Sequence, residues 1–255
     1  MFNGEKDLKI TRKGDLMIQS KHQANSSIIG MLLGDASMHR YLLKTNINDK
    51  VSVRKNSRIQ FGMTHCEKQL DYLMWKESIL RAYIKFGKLI TDRSKEDNGF
   101  LYYKKTSLIE STRNLIFLYE KFYNTGRKVV NRKLLNRLNN LGLSLWFMDD
   151  GSLIPHSFKS NGDIRALKLR LHTCGFNFDE HVIMKDYFNS IGVEFNITKD
   201  KNYFCLSTGK KSSINNFINK IKPFVELVDC MKYKIEPYNK FFSANYPKND
   251  LRVMI

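Results

Sequence analysis

The chain has 255 residues, 42% of them hydrophobic, and its 43 lysines and arginines outnumber 25 acidic residues to give a net charge of +18. This hydrophobic content suffices for a folded core and excludes wholesale disorder, and no run approaches the roughly 20 apolar residues of a membrane span. The charged stretch 1–21 has no apolar core, which excludes a secretory signal. The charge favours a nucleic acid partner, although a simply solvated basic surface would show the same balance.

In chain order, the predicted elements form an internal repeat. Apolar segments at 27–36 and 143–151 run into Asp35 and Asp150, which lie 115 residues apart. Each predicts a helix that ends at a carboxylate. A strand with alternating apolar and polar side chains follows at 58–63 and at 167–172, and then a helix at about 67–86 and 179–191. Paired strands are predicted at 88–91 with 100–105 and at 193–198 with 203–207, before closing helices at 108–123 and 213–224.

This order predicts two similar halves, each with a helix, strands, a helix, strands and a helix. The boundary between them is expected within 131–140. We assign residues 1–24 to an N-terminal arm, 25–135 to the first half, 136–240 to the second half and 241–255 to a C-terminal tail.

The two aspartate segments carry the candidate chemistry. Gly30 and Gly34 are four residues apart, so they share a helix face that a partner backbone can approach closely. Packing of the two helices would bring Asp35 and Asp150 side by side, where two carboxylates repel unless a cation lies near them. Such a site can activate water for phosphodiester hydrolysis. Either segment alone could be an ordinary helix end leading into a turn, but both within a repeat are more specific.

Both segments resemble the LAGLIDADG motif of homing endonucleases. The second, Leu-Ser-Leu-Trp-Phe-Met-Asp-Asp-Gly, is similar to the variant in single-chain, intron-encoded members. The first, Ile-Ile-Gly-Met-Leu-Leu-Gly-Asp-Ala, has Ala36 where the consensus has glycine. The resemblance implies an α+β fold: two pseudo-symmetric αββαββα halves, packed through the motif helices, whose antiparallel sheets form a saddle over DNA.

By motif position, the resemblance implies that Asp35 and Asp150 are catalytic metal ligands. Gly34 and Asp149 precede them and are placed at the same metal site. Asp149 falls one place early in the motif, so it is expected to have a lesser role near the cleft. Oxygen ligands of this kind suit Mg²⁺, or another divalent cation such as Mn²⁺.

The family also places a lysine near each active centre, late in each half. Lys128 and Lys234 match those places and are candidate catalytic residues, although a solvated or phosphate-binding lysine would fit the pattern as well. Gln60 lies on the polar face of the first predicted strand, where the family uses a polar side chain to position water or metal.

Candidate DNA contacts follow the polar faces of the predicted strands, where long side chains can read base edges or grip phosphates. The residues are Arg54, Lys55, Arg58, Gln60, Lys104, Lys105, Lys168, Arg170 and His172. The stretch 104–137 is strongly basic and is also a candidate for phosphate contact.

The resemblance therefore predicts a site-specific endonuclease that acts as a monomer, makes a double-strand break at a long asymmetric DNA target and promotes intron homing. The alternative is an intron maturase of the same fold, which binds RNA, so intron RNA remains a further candidate partner. A DNA-binding regulator would need an added helix-turn-helix domain, for which the chain offers no room.

The cysteines bear on the compartment. None of the four forms a C-x-x-C pair or lies at zinc-finger spacing from a histidine, so we interpret them as reduced thiols. An intracellular protein is expected, in a mitochondrion, a chloroplast or the cytoplasm of a bacterium or phage-infected cell. An intein is not expected, since Met1 is not a splicing nucleophile and Ile255 is not an asparagine.

Overall fold

The computed structural model describes residues 8–10, 16–18, 20–42, 57–91, 101–109 and 113–245. Arg54 and Lys55 lie outside the described residues. A short hairpin precedes the first repeat, with strands β1 (Leu8–Ile10) and β2 (Leu16–Ile18). Among the described residues, no helix is long and apolar enough to cross a membrane.

The first half follows the order αββαββα. Its elements are α1 (Lys21–Leu33), β3 (Ser37–Leu42), β4 (Ser57–Cys66), α2 (Leu70–Leu80), β5 (Ile90–Thr91), β6 (Tyr102–Thr106) and α3 (Arg113–Phe122). The short helix α4 (Arg132–Leu135) then connects the halves. The Ser20 side chain caps α1 by accepting from the Gln23 amide at 3.2 Å.

The second half repeats the order. Its elements are α5 (Asn140–Asp150), β7 (Gly151–Phe158), β8 (Ile164–Leu171), α6 (Phe178–Ser190), β9 (Asn196–Asp200), β10 (Tyr203–Thr208) and α7 (Lys211–Val225). A capping box of Asn177 and Glu180 starts α6. A 3₁₀ segment (Asp229–Lys234) and α8 (Glu236–Asn245) follow.

Each half contains one four-stranded antiparallel sheet, with strand orders β3-β4-β6-β5 and β7-β8-β10-β9. The helices cover one face of each sheet. In β8, for example, Leu167, Leu169 and Leu171 are buried, whereas Lys168 and Arg170 point to the opposite, uncovered face. The predicted α+β class and the αββαββα order of both halves are confirmed.

The first strand of each sheet follows its motif helix directly, earlier than the sequence analysis expected. In β3, His39 and Tyr41 are exposed while Met38 is buried, so the strand lacks a continuous apolar signal. In β7, the register shifts between Pro155 and Ser157 because of a bulge, and this hides the alternation that predicts a strand.

The ends of the described chain are more ordered than the predicted arm and tail. Residues 21–24, assigned to the arm, form the first turn of α1, where Ala24 is buried. Residues 241–245, assigned to the tail, continue α8, which packs against β7 and β8 and buries Phe241.

Candidate active site

The motif helices α1 and α5 cross with their backbones in contact. A Cβ atom on Gly30 would lie 2.1 Å from the Gly142 carbonyl oxygen, and one on Gly142 would lie 2.3 Å from the Ser26 hydroxyl. The Ser26 hydroxyl donates to Asn139 Oδ1 at 2.7 Å and accepts from the Asn139 amide at 2.8 Å. Only glycine allows such an approach, so the crossing brings the C-terminal ends of α1 and α5 side by side.

Asp35 and Asp150 lie at these two helix ends. Asp150 is the last residue of α5, and Asp35 lies in the turn after α1. Desolvation, with the nearby carboxylates of Asp35 and Asp149, raises the pKa of Asp150 to about 8. Desolvation and Asp149 likewise raise the pKa of Asp35. Asp35 therefore disfavours the ionised form of Asp150, Asp149 disfavours that of both, and a bound cation would relieve this repulsion.

A lysine accompanies each of these helix ends. The Lys128 ammonium donates to the carbonyl oxygens of Gly34 at 3.1 Å and Ala36 at 2.9 Å. The Lys234 ammonium donates to those of Asp149 at 3.0 Å and Gly151 at 3.1 Å.

Burial lowers the pKa of Lys128 and of Lys234, while the carboxylates of Asp35, Asp149 and Asp150 act in the opposite direction. The structure thus brings both predicted lysines to the carbonyls that flank the motif aspartates.

Asp149 has a different environment from Asp150. Its side chain is inaccessible to solvent, and Oδ1 accepts from the Lys76 ammonium at 2.5 Å and from the Tyr72 hydroxyl at 2.9 Å. Its Oδ2 accepts from the Asp35 backbone amide at 3.3 Å. The carboxylate also fills the space beside Gly34, where an added Cβ would lie 2.7 Å from Oδ2.

His65 completes this buried cluster. Ligand atoms of Asp35, His65 and Asp149 lie within 4.8 Å of one another, as a metal site would require. The Lys76 ammonium, however, already contacts His65 Nε2 at 2.9 Å as well as Asp149. Since an ammonium group can only donate, His65 Nε2 is the acceptor, and burial followed by the charge of Lys76 lowers the pKa of His65 to about 3.

A cleft of about 370 Å³ opens beside Asp150, lined by Asp149, Asp150, Gly151, Ser152, Leu153, His172, Tyr233 and Lys234. His172 Nε2 lies 3.1 Å from the Ser152 hydroxyl, and its backbone amide donates to the Asp150 carbonyl at 2.9 Å. Desolvation and Arg170 lower the pKa of His172, which favours the neutral form of this imidazole. The predicted DNA-contact residue His172 therefore lies beside Asp150 in this cleft.

Gln60 does not occupy the position of the first sheet that corresponds to His172 in the second sheet. Ser37 and Ser152 follow the motif aspartates at the same spacing, and they pair with Gly62 and Arg170 in their sheets. The counterpart of His172 is therefore Thr64. The Gln60 side chain instead accepts from the Tyr41 hydroxyl at 3.2 Å and donates to the Ser107 carbonyl at 3.3 Å.

Lys105 does not lie on the uncovered face, so its assignment to DNA contact is corrected. It pairs with buried Met63 in the sheet, and its ammonium binds Glu77 at 2.8 Å and the Gly87 carbonyl at 3.0 Å on the helix side. Neighbouring residues of a strand point to opposite faces, so Lys104 and Lys105 cannot share one.

The other candidate contacts lie on β4, β6 and β8. Lys104 pairs with Thr64 of β4 and so points away from the helices. Arg58 is exposed, while Lys168 is partly accessible. The Arg170 guanidinium binds Asp200 at 3.0 Å on the same uncovered face.

Several site residues escaped the sequence analysis, chiefly Lys76, His65, Tyr72 and Ser152. Lys76 carried a readable signal, because it occupies the apolar stripe of α2 with Leu73 and Leu80 and is fully buried. A lysine on such a stripe requires a buried acidic partner, but spacing alone does not identify Asp149, which is 73 residues away.

Comparison with known proteins adds independent evidence. Residues 25–216 match the model of the LAGLIDADG DNA endonuclease family. A probable intron-encoded DNA endonuclease 3 of Mycosarcoma maydis is 33% identical over 131 residues, which cover 49% of this chain and 88% of the relative. A RecA protein of Mycolicibacterium flavescens is 26% identical over 218 residues, 82% of this chain but only 45% of that protein.

The fold is also found in a solved structure. The homing endonuclease I-WcaI bound to its DNA recognition sequence superimposes with a TM-score of 0.63 at 20% identity, covering 84% of this chain and 86% of that one.

Proposed function

Because the chain belongs to the LAGLIDADG DNA endonuclease family, we propose that it makes a double-strand break at a long, asymmetric DNA target by metal-dependent hydrolysis. The observation that carries this proposal is the pairing of Asp35 and Asp150 at the crossing of the motif helices. Asp35 is exposed at its turn, Asp150 is half-buried, and each has a lysine on the adjacent carbonyls. The break would promote homing of the host intron.

We assign Asp35 and Asp150 as the ligands of Mg²⁺ or Mn²⁺. The donor set fits, because both offer hard oxygen atoms, and desolvation with neighbouring carboxylates disfavours the ionised form of each without a cation. When bound, the ion would lower the pKa of a water molecule and stabilise the negative charge on the leaving oxygen. Asp149 is less suited to this role, since Lys76 and Tyr72 occupy its carboxylate.

Lys128 and Lys234 would steady the charge that develops on the scissile phosphate. An ammonium group has three N–H donors, and the two carbonyls flanking Asp35 take only two from Lys128. The remaining donor can reach a phosphate oxygen or water. The same carbonyl bonds fix each ammonium group, so little reorganisation is needed during the reaction.

At the active centre that contains Asp150, His172 and Ser152 would orient water. The imidazole favours its neutral form and is hydrogen-bonded to Ser152 within the cleft that Asp150 lines. A neutral imidazole has one N–H donor and one acceptor nitrogen, so it can orient water by hydrogen bonding while it stays uncharged.

DNA would bind across the uncovered faces of the two sheets, and the net charge of +18 supports a polyanionic partner. Arg58, Gln60, Lys104, Lys168 and Arg170 are the proposed contacts. The duplication supplies both centres in one chain, so we expect a monomer, which sedimentation of the protein–DNA complex would test.

Cleavage of the intronless host gene, with Mg²⁺ and with EDTA, tests the function directly. We expect cutting at one site that requires the metal. Tight binding of the intron RNA without DNA cleavage would instead favour the maturase alternative. A linear product and a nicked product should be measured together, because each centre would cut one strand.

A further inference from the structure

Lys76 is a fully buried charge that the proposed chemistry does not use. Its ammonium is 2.5 Å from Asp149 Oδ1 and 2.9 Å from His65 Nε2, and it lies 4.4 Å from the centroid of the Tyr72 ring. Both Lys76 and the Asp149 side chain are inaccessible to solvent. Burying two charges is costly unless geometry and additional hydrogen bonds compensate for lost hydration.

The ion pair between Lys76 and Asp149 joins the two halves, and Asp149 also contacts the backbone of Asp35. Lys76 belongs to α2 of the first half, whereas Asp149 belongs to α5 of the second. The second carboxylate oxygen of Asp149 accepts from the amide of Asp35 at 3.3 Å. A continuous series of polar contacts therefore runs from Lys76 through Asp149 to the turn that carries Asp35.

The pseudo-symmetric counterpart of this pair has no charge. Leu70 and Phe178, the first residues of α2 and α6, are 108 residues apart, and so are the register-matched Gly62 and Arg170. The same offset relates Lys76 to Met184, which is 0% exposed.

Gly34 and Asp149 are likewise equivalent, because each directly precedes a motif aspartate. The equivalent pair in the other orientation is thus Met184 and Gly34. Neither has a charged side chain, so this pair cannot hold Asp150 as Lys76 and Asp149 hold Asp35.

We propose that Lys76 is a positioning residue that, through Asp149, holds the Asp35 turn and makes the two active centres unequal. The inference rests on the proposed nuclease function for its catalytic consequence. Asp35 is held by a carboxylate from the other half, while Asp150 is the last residue of its own helix. Displacement of Asp35 by a fraction of an ångström would slow the strand cut at the centre that depends on it most.

Three variants test the proposal. Lys76→Met introduces the residue found at the equivalent position of the second half. The double variant Lys76→Met with Asp149→Gly also removes the orphaned carboxylate, so it avoids the penalty of a buried unpaired charge. Lys105→Met is the matched control, because it breaks another ion pair of the same half, in which the Lys105 ammonium binds Glu77 and the Gly87 carbonyl.

Strand-specific labelling of the target measures the two cleavage rates separately. In Lys76→Met and in the double variant, we expect the ratio of the two rates to change by about tenfold or more, with nicked DNA accumulating. Lys105→Met should lower the melting temperature while leaving this ratio at the wild-type value. A purely structural role for Lys76 would slow both strands equally, and that result would overturn the proposal.

Amide hydrogen exchange of Asp35 provides a readout without cleavage. Exchange should be about tenfold faster in the double variant, where the amide loses its acceptor, and unchanged in Lys105→Met. Unchanged Asp35 exchange in the double variant would also overturn the proposal. If the wild-type protein cut no DNA, the proposed function would fail, but the exchange rates would still decide whether Lys76 and Asp149 hold the Asp35 turn.

Discussion

Lys128 and Lys234 occupy equivalent places in the two halves, and each ammonium group bridges the carbonyls immediately before and after a motif aspartate. The backbone bonds hold each cation at the C-terminal end of a motif helix, where the helix dipole favours positive charge. The same two bonds also keep the turn that presents the aspartate in place.

Lys128→Met and Lys234→Met should each slow cleavage by about 10²–10³-fold, as expected for loss of a fixed charge at a developing anion. Each variant should chiefly affect one strand, so nicked DNA should accumulate. The measurement is single-turnover cleavage of a plasmid target, with Lys133→Met as an exposed control on α4. Wild-type rates in both lysine variants would show that these cations serve only the fold.

Asp35→Asn and Asp150→Asn should each abolish double-strand cleavage while retaining DNA binding. The substitution keeps the shape of the side chain but removes the charge that holds a divalent cation. Binding can be measured by fluorescence anisotropy in Ca²⁺, and cleavage in Mg²⁺. A variant that still cut both strands at the wild-type rate would remove that aspartate from the metal site.

The stability of the metal-free protein should fall as pH rises from 6.5 to 8. Asp150 has a pKa of about 8 in the folded protein against an ordinary value of 3.8, so the folded state binds a proton that the unfolded state has released. The lowered pKa of His65, at about 3, has the opposite effect, but only below pH 6.5.

In EDTA, the melting temperature should therefore fall by roughly 3–8 °C over this window. Asp150→Asn should flatten the dependence, and Mg²⁺ should stabilise the protein more at pH 8 than at pH 6.5. A melting temperature of the wild-type protein that does not change with pH would contradict the raised pKa.

The repeat allowed much of the site to be predicted. Asp35 and Asp150 follow from the two matching apolar segments, and Lys128 and Lys234 follow from the family resemblance. The structure brings all four to the C-terminal ends of the motif helices. Their roles remain proposals, but their proximity follows from packing of the motif helices, which places the C-terminal ends of α1 and α5 next to each other.

The contact between Lys76 and Asp149 could not be predicted, because it is not repeated in the two halves. Lys76 and Asp149 have no charged counterparts in Met184 and Gly34, so comparison of the halves cannot pair them. The assignment of Lys105 to DNA contact is wrong for a different reason, because neighbouring residues of a strand point to opposite faces and Lys105 pairs with buried Met63.

Close contact of the motif helices makes Gly30 intolerant of a side chain. In Gly30→Ala, the new Cβ would lie 2.1 Å from the Gly142 carbonyl oxygen, so the helices must separate. Overpacking of this kind costs about 1–3 kcal/mol, which should lower the melting temperature by roughly 2–12 °C. Cleavage should fall as well, because the helix ends carry Asp35 and Asp150.

Gly175→Ala is the control for this substitution, since no atom lies within 4 Å of the added Cβ. It should leave both the melting temperature and cleavage close to those of the wild-type protein. Equal stability of Gly30→Ala and Gly175→Ala would mean that the helices cross elsewhere.

Lys104 and Lys105 are neighbours in β6 but lie on opposite faces of the sheet, so their variants distinguish an effect on DNA binding from an effect on stability. Lys104 points to the uncovered face, so Lys104→Ala should weaken DNA binding and reduce the slope of log affinity against log salt by about one. Lys105 binds Glu77 on the helix side, so Lys105→Ala should leave the slope unchanged and lower the melting temperature instead. Both variants remove one positive charge, and they differ in the face of the strand and in the Glu77 ion pair that Lys105 makes. Equal salt slopes for the two variants would therefore mean that net charge, rather than the uncovered face of the sheet, governs DNA binding.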